Sequence, residues 1–231
     1  MSKTFWEKEY KDPKHLAMSD APAEDLIHFA KWTVRNAEWD PFPKGGFVLD
    51  IGCGNGRNII NLCEEYHMNG LGIDISATAI EQATNKTKDK KLNINYIAME
   101  VKDKLPTEDA TCDIVLDMMT SHFLNEKDRK ALASEIARVT KPYGWVLFKT
   151  FIMDGDSHAK RLIKEFPAGE EGSYIHPKIK VAEHVYTEQE IYDLYSQNFK
   201  IFKMLKSYRH VLDGKPHKRR TVSVYMERKR D

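Results

Sequence analysis

The feature that most constrains this chain is the run Asp50-Ile51-Gly52-Cys53-Gly54-Asn55-Gly56-Arg57, which directly follows the apolar residues Phe47, Val48 and Leu49. The unbroken apolar segment from Phe47 to Ile51 reads as a strand buried on both faces, the kind found in parallel sheets. Beyond the glycines, Ile59, Leu62, Cys63 and Tyr66 fall on one face of a helix. A strand, a tight glycine turn and a helix open a βαβ unit. In such a unit the turn lies at the carboxyl edge of the sheet, where main-chain amides face a ligand and missing side chains let it approach. A nucleoside-like ligand is expected there.

The same alternation continues downstream. Leu71 to Ile75 reads as a second strand, Ser76 as the cap of a helix carrying Ile80 and Ala83, and Ile94 to Ala98 as a third strand. Cys112 to Leu116 is a fourth, and Leu132, Ala133, Ile136 and Val139 share a helical face. Trp145 to Phe151 is a further strand after the turn Pro142-Tyr143-Gly144. This pattern predicts a doubly wound α/β fold, a parallel sheet with helices on both faces. Upstream, Leu26, Phe29, Ala30, Val34 and Ala37 predict a helix that ends before the break at residues 40–46. Residues 154–183 lack clear periodicity and read as a long excursion over the sheet edge. Thr187-Glu188-Gln189-Glu190 is a capping box, and two strands forming a hairpin follow around Asp213-Gly214. One domain is expected: a helical cap over residues 1–45, a ligand-binding core over 46–153, an excursion or lid over 154–185, and a C-terminal helix and hairpin over 186–231.

Composition narrows the partners. With 36 basic against 35 acidic side chains in 231 residues, no bulk field attracts nucleic acid. No apolar run approaches the roughly 18 residues of a membrane span, and the charged N-terminus does not read as a signal peptide. Three cysteines, Cys53, Cys63 and Cys112, form neither a disulfide framework nor a zinc pattern. A cytoplasmic protein is expected, with its oligomeric state left open. Asp154, Asp156, His158, His176 and His184 lack a recognised ligand spacing, so no metal is expected.

The glycine spacing is GxGxG. A dinucleotide fingerprint needs a small residue where Arg57 stands, so a nicotinamide cofactor is disfavoured. Asp74, followed by Ile75, closes the second strand, where a carboxylate accepts from both hydroxyls of a ribose. Glu100 ends the third strand, where it would accept from an adenine amino group while Met99 and Val101 sandwich the ring.

With those residues in view, the chain resembles the class I S-adenosylmethionine-dependent methyltransferases. VLDIGCGNGRN looks like that family's first motif and GIDIS like its second. CDIVLDMMTSHFL and EIARVTKPYGWVLFKTF look like its fourth-strand and fifth-strand motifs. The resemblance implies a Rossmann-like seven-stranded mixed sheet with the last strand antiparallel, and S-adenosylmethionine as cofactor, leaving as S-adenosylhomocysteine. It implies that Asp50 and Gly52 lie near the methionine part, with Cys53, Gly54, Asn55, Gly56 and Arg57 completing the loop, Asp74 on the ribose and Glu100 by adenine. The third acid is usually Asp, and Glu100 departs from that. Phe5-Trp6-Glu7-Lys8-Glu9-Tyr10 and GCGNGRN further resemble the tellurite-resistance and thiopurine branch, whose members methylate small, soft nucleophiles.

Methyl transfer asks the protein to align a nucleophile and exclude water. His122, after the fourth strand, is the first candidate for contact with the acceptor. Asp117 is the second, with a competing role on the cofactor's amino group. Tyr10, Trp6 and Tyr174 are candidates to surround the sulfonium or roof the acceptor, since aromatic faces attract cations. Met118 and Met119 read as core. The expected partner is a small-molecule methyl acceptor. The alternatives are an RNA or protein methyltransferase, for which the basic run Lys215 to Arg220 would bind the polymer, a non-catalytic cofactor-binding module, and a nicotinamide oxidoreductase.

Overall fold

The computed structural model describes residues 3–15, 18–102, 104–207 and 219–230, together with the backbone of 211–212 and 215–216. In chain order the elements are α1 (Lys3–Lys11), α2 (Glu24–Asn36), β1 (Phe47–Ile51), α3 (Arg57–Tyr66), β2 (Asn69–Asp74), α4 (Ala77–Thr87) and β3 (Ile94–Ala98). Then come β4 (Cys112–Met118), a 3-10 turn (Ser121–Phe123), α5 (Glu126–Val139), β5 (Thr140–Phe151), α6 (Ser157–Glu165), β6 (Ser173–Ile175) and β7 (Ala182–His184). The chain closes with α7 (Glu188–Tyr195), β8 (Phe199–Lys206), the short pair β9 (Val211–Leu212) and β10 (Lys215–Pro216), and β11 (Thr221–Arg228).

Seven strands form one mixed sheet in the order β3-β2-β1-β4-β5-β11-β8. β1 pairs in parallel with both β2 and β4, whereas β11 runs antiparallel between β5 and β8. Strand order therefore reverses between β1 and β4, and the crevice outside their carboxyl ends is where this architecture binds ligands. The expected seven-stranded α/β sheet with an antiparallel last strand is what forms.

Each face of the sheet carries its own core. Val48, Ile114 and Leu116 meet Leu26 and Phe29 of α2 and Ile59 and Leu62 of α3. Leu49, Ile51 and Val115 meet Leu132 and Ile136 of α5 and Ile191 and Tyr195 of α7. The strand alternation that sends Leu49 one way and Val48 the other fixes the register, since a slip by one residue would exchange the two cores. α2 is pinned further by Asp25, whose carboxylate pairs with Lys149 of β5 and accepts from Ser223 Oγ of β11 at 2.6 Å. Burial alone would raise that carboxyl, but Lys149 and Ser223 hold it below its ordinary value.

Two expectations change. Residues 154–183 are not featureless: Asp156 caps α6 by accepting from the amides of His158 and Ala159, and β6 and β7 form an antiparallel ribbon. Ala159 and Leu162 of α6 pack with Tyr174 and Val185 against Phe151 as a separate small core. A nine-residue helix is too short for periodicity to declare it. The turn at Pro142-Tyr143-Gly144 does not precede β5 but lies inside it, absorbed as an irregularity in pairing with β4, with Tyr143 at φ 65°. The two C-terminal strands pair as expected, while the Asp213-Gly214 turn lies outside the described residues. No helix among the described residues is long and apolar enough to cross a membrane.

Candidate active site

A cavity of about 1010 Å³ opens at the carboxyl edge of the sheet. It reaches the upper end of the roughly 300–1,000 Å³ typical of small-molecule sites, room for a cofactor and a second small molecule together.

One side of it is main chain. The amides of Gly52 and Cys53 donate to Ile73 O at 2.8 and 2.9 Å, fastening the turn to the end of β2. Gly52 and Gly54 have φ of 70° and 55°, and a Cβ on either would collide, with Thr120 Oγ1 and with the Tyr10 hydroxyl respectively. These two positions need glycine both for their backbone and for the space above it. The Asp74 carboxylate spans the turn: Oδ2 accepts from Gly54 N and Oδ1 from Ser76 N, each at 2.9 Å. Burial raises its pKa while those amides oppose the rise. Ser76 itself caps α4 by accepting from Ala79 N at 3.2 Å, as the sequence reading assigned. Ile75, Met99 and Val101 continue this wall.

The acids divide. Asp50 is 2% exposed and does not line the cavity; burial, reinforced by the nearby Asp74, pushes its carboxyl up to about 7, and its Oδ2 has no partner among the described residues. Gly56 likewise stands behind the surface, as the left-handed residue that starts α3. Glu100, expected by an adenine, instead pairs with Lys102 at 2.5 Å and does not line the cavity, although Met99 and Val101 on either side of it do. Asn55 and Arg57 line the cavity but are tied to the N-terminal segment, Asn55 Nδ2 donating to Ser19 O at 3.1 Å and Arg57 Nη1 to Ala21 O at 3.3 Å.

Helix α1 roofs this side. Glu7 accepts from the amides of Ala77 and Thr78 and from the Thr78 hydroxyl, at 2.6, 3.3 and 2.7 Å, completing the N-terminal cap of α4. Gln82 Nε2 donates to Tyr10 O at 2.8 Å. Trp6 meets Phe123 edge-on at 4.9 Å, and Tyr10 stands over Gly54. Burial, with Asp74 adding, pushes the Tyr10 phenol up, so it stays protonated at neutral pH. The sequence reading had already singled out Trp6 and Tyr10.

The other side is built from side chains: the 3-10 turn, Phe151, α6 and the β6–β7 ribbon. His122 is 1% exposed and lies against Phe123 and Phe151 at 3.9 and 4.8 Å between ring centroids. Neither ring nitrogen has a hydrogen-bond partner among the described residues, yet the residue lines the cavity. Burial, with Arg219 and His184 adding, holds its pKa well below the ordinary value, so the imidazole is neutral. Asp117 does not accompany it. Its Oδ1 accepts from Ser121 N at 3.2 Å, its carboxyl is pushed by burial to about 6, and it does not line the cavity, because strand alternation turns it to the α5 and α7 face. Tyr174 is also withdrawn, fully buried in the small core with its hydroxyl donating to Glu183. Met118 and Met119, read as core, line the cavity as well as packing. His158, Arg161, His176, Lys178 and Arg219 complete this side, and no local spacing joined them beforehand. No group of three or more His, Cys, Asp or Glu among the described residues is arranged to hold a metal ion.

Known proteins agree with this geometry. Residues 48–144 match the family described as a methyltransferase domain. A tRNA (carboxymethyluridine(34)-5-O)-methyltransferase from Arabidopsis thaliana is 30% identical over 128 residues, 55% of this chain and 29% of that protein. A 27-O-demethylrifamycin SV methyltransferase from Amycolatopsis mediterranei is 30% identical over 123 residues, 52% of this chain and 44% of that protein. The chain thus spans less than half the length of these two relatives. Among solved structures, an S-adenosylmethionine-dependent methyltransferase from Methanosarcina mazei superposes with a TM-score of 0.68 at 22% identity, covering 82% of this chain and 96% of that one. The N-methyltransferase NodS from Bradyrhizobium japonicum, solved with S-adenosylhomocysteine, gives 0.69 at 14% identity, covering 98% and 97%. The suggested nearness to the tellurite-resistance and thiopurine branch gains no support from these relatives.

Proposed function

We infer that this chain is a class I S-adenosylmethionine-dependent methyltransferase and that it transfers a methyl group to a small-molecule nucleophile held beside His122. The observation that carries this reading is a single cavity with two unlike sides. One is a glycine turn closed over by Thr120 and Tyr10, with the buried Asp74 carboxylate across it. The other joins aromatic and basic side chains to a neutral imidazole whose two nitrogens have no partner among the described residues.

The glycine turn fits the cofactor by its missing side chains and by the carboxylate beside it. The amides of Gly52 and Gly54 are engaged by Ile73 O and by Asp74, so what the turn offers is close approach to main chain, while Asp74 offers its remaining lone pairs to ribose hydroxyls. Bound there, the sulfonium supplies an electrophilic methyl group and leaves as a neutral thioether. The protein's part is positional: Trp6, Tyr10 and Phe123 exclude water, and the aromatic faces favour the cation. His122 orients the acceptor through one unpaired ring nitrogen and takes the proton that a hydroxyl, thiol or amine gives up as its heteroatom bonds to the methyl carbon. Work in the cytoplasm accords with three buried free cysteines.

An RNA acceptor is favoured only by the Arabidopsis relative; the basic run that would carry it lies partly outside the described residues. Calorimetry tests the cofactor assignment: S-adenosylhomocysteine binds and NAD does not. Binding of NAD alone would remove the methyltransferase reading. Binding of S-adenosylhomocysteine without product, across thiols, amines, phenols and RNA, would leave a binding module.

A further inference from the structure

We propose that the acceptor carries a carboxylate, seated between Arg219 and Arg161 on the side of the cavity built by α6 and β7. The inference deepens the methyltransferase reading and rests on it.

Arg219 is the central observation. Its guanidinium carbon lies 3.6 Å from the centroid of the Phe151 ring, and Nη1 pairs with Glu183 and the Tyr174 hydroxyl. A ring beneath and a buried carboxylate at one edge fix the plane of the group. Nε and Nη2 make no hydrogen bond among the described residues, which leaves one edge of a preorganised fork unused. That is the geometry by which an arginine takes a carboxylate bidentately.

The surrounding charge favours an anion. Arg161 and Lys178 also line this side and have no ion-pair partner among the described residues. Against these cations stand Glu183, already matched by Arg219, and the exposed Glu165. The three imidazoles here do not add to the charge: burial first, and cationic neighbours including Arg219 next, depress His122 and His158, and burial likewise depresses His176. His158 Nδ1 is buried without a partner among the described residues. Arg161 and Lys178 are exposed, so the anion is held chiefly at the partly buried Arg219, with Arg161 at the mouth of the cavity adding to its field.

The distance to the chemistry is set by the fold. Arg219 and His122 both lie against Phe151, the guanidinium over the ring and the imidazole in a T-shaped contact with 4.8 Å between centroids. A molecule that reaches the arginine with its carboxylate and the imidazole with its nucleophile must therefore be short. Phe123, Phe151, Leu162 and Phe166 offer it apolar walls. An aromatic acid bearing a hydroxyl, thiol or amine meets all three conditions.

The test uses the full chain with 4-hydroxy-, 4-mercapto- and 4-aminobenzoate, each beside its primary carboxamide. On protein saturated with S-adenosylhomocysteine, calorimetry is expected to find an acid bound about tenfold or more tighter than its amide, the scale of one charge-assisted pair. With S-adenosylmethionine, the same preference is expected in kcat/KM by mass spectrometry of product. Arg161→Gln, an exposed position, is expected to reduce the preference to about threefold or less with the amide unaffected, and Arg219→Gln to abolish it. Affinity for S-adenosylhomocysteine is expected to be unchanged in both. Acids bound no tighter than amides in every pair overturn the proposal whether or not turnover occurs, as does an Arg161→Gln variant that weakens acid and amide alike. Failure of the wild-type protein to bind S-adenosylhomocysteine would instead remove the underlying methyltransferase reading.

Discussion

The two sides of the cavity are made of different materials. The glycine loop presents backbone: its amides and curvature come from consecutive residues, and Asp74 reaches it from the adjoining strand. The acceptor side presents side chains drawn from residues 119 to 219, set on a 3-10 turn, a short helix and a two-stranded ribbon. A backbone site accepts one ligand shape and leaves little to vary, whereas a side-chain site on connecting elements changes with each residue while the sheet stays the same. The first suits a shared cofactor and the second a particular acceptor.

That division can be broken at either side. The largest effect is expected from Gly54→Val, which forces a β-branched residue to φ 55° and drives its Cβ into Tyr10. Binding of S-adenosylhomocysteine should be lost with the circular dichroism spectrum unchanged, and retained affinity would remove the loop from the site. His122→Ala should lower kcat by about 10²-fold, the lower range for a positioned proton acceptor. Cofactor affinity should stay within about twofold, because His122 belongs to the other side. Equal losses in both quantities would show that the two sides are not separable. Asp74→Ala should do the reverse, weakening S-adenosylhomocysteine by about 1.5–3 kcal/mol, as for a hydrogen bond to a charged group.

The same division explains what could be read in advance. The glycine turn and Asp74 beside it were legible because their constraint is local: glycine at fixed spacing after an apolar strand leaves few backbone paths, although Asp50 and Gly56 stand behind the cavity wall. Trp6, Tyr10 and His122, singled out from the sequence, do line the cavity. Glu100 and Asp117 both stand at the expected edge of the sheet, but neither lines the cavity: Glu100 pairs with Lys102, and alternation along β4 turns Asp117 to the face of α5 and α7. Tyr174 was misjudged because α6 and the ribbon supply a core that claims it. Arg219 escaped notice as a site residue because its neighbours in sequence are basic, so it read only as part of a run that a polyanion would contact. Its stack on Phe151, 68 positions earlier, exists only after the sheet is assembled.

The smallest effect, and the sharpest contrast, is the response to acid. At the glycine loop, burial raises the carboxyls of Asp50, to about 7, and of Asp74. In the unfolded chain such groups titrate near 3.9, so between about pH 4 and 7 the folded protein binds protons that the unfolded one has released. Their contribution therefore improves as pH falls through that window and is lost as pH rises through it. At the acceptor side, His122, His158 and His176 are depressed below 6.5. There the unfolded chain binds the extra protons, so stability is lost as pH falls below about 6.5. Thermal melts of the ligand-free protein at pH 7.5, 6.5 and 5.5 should separate the two. Asp50→Asn, which cannot titrate, should melt relatively higher at pH 7.5 and forfeit the gain on acidification. His122→Phe should lose less stability than the wild type between pH 6.5 and 5.5. Slopes altered in the same direction by both substitutions would mean that the charge environments of the two sides are not opposed.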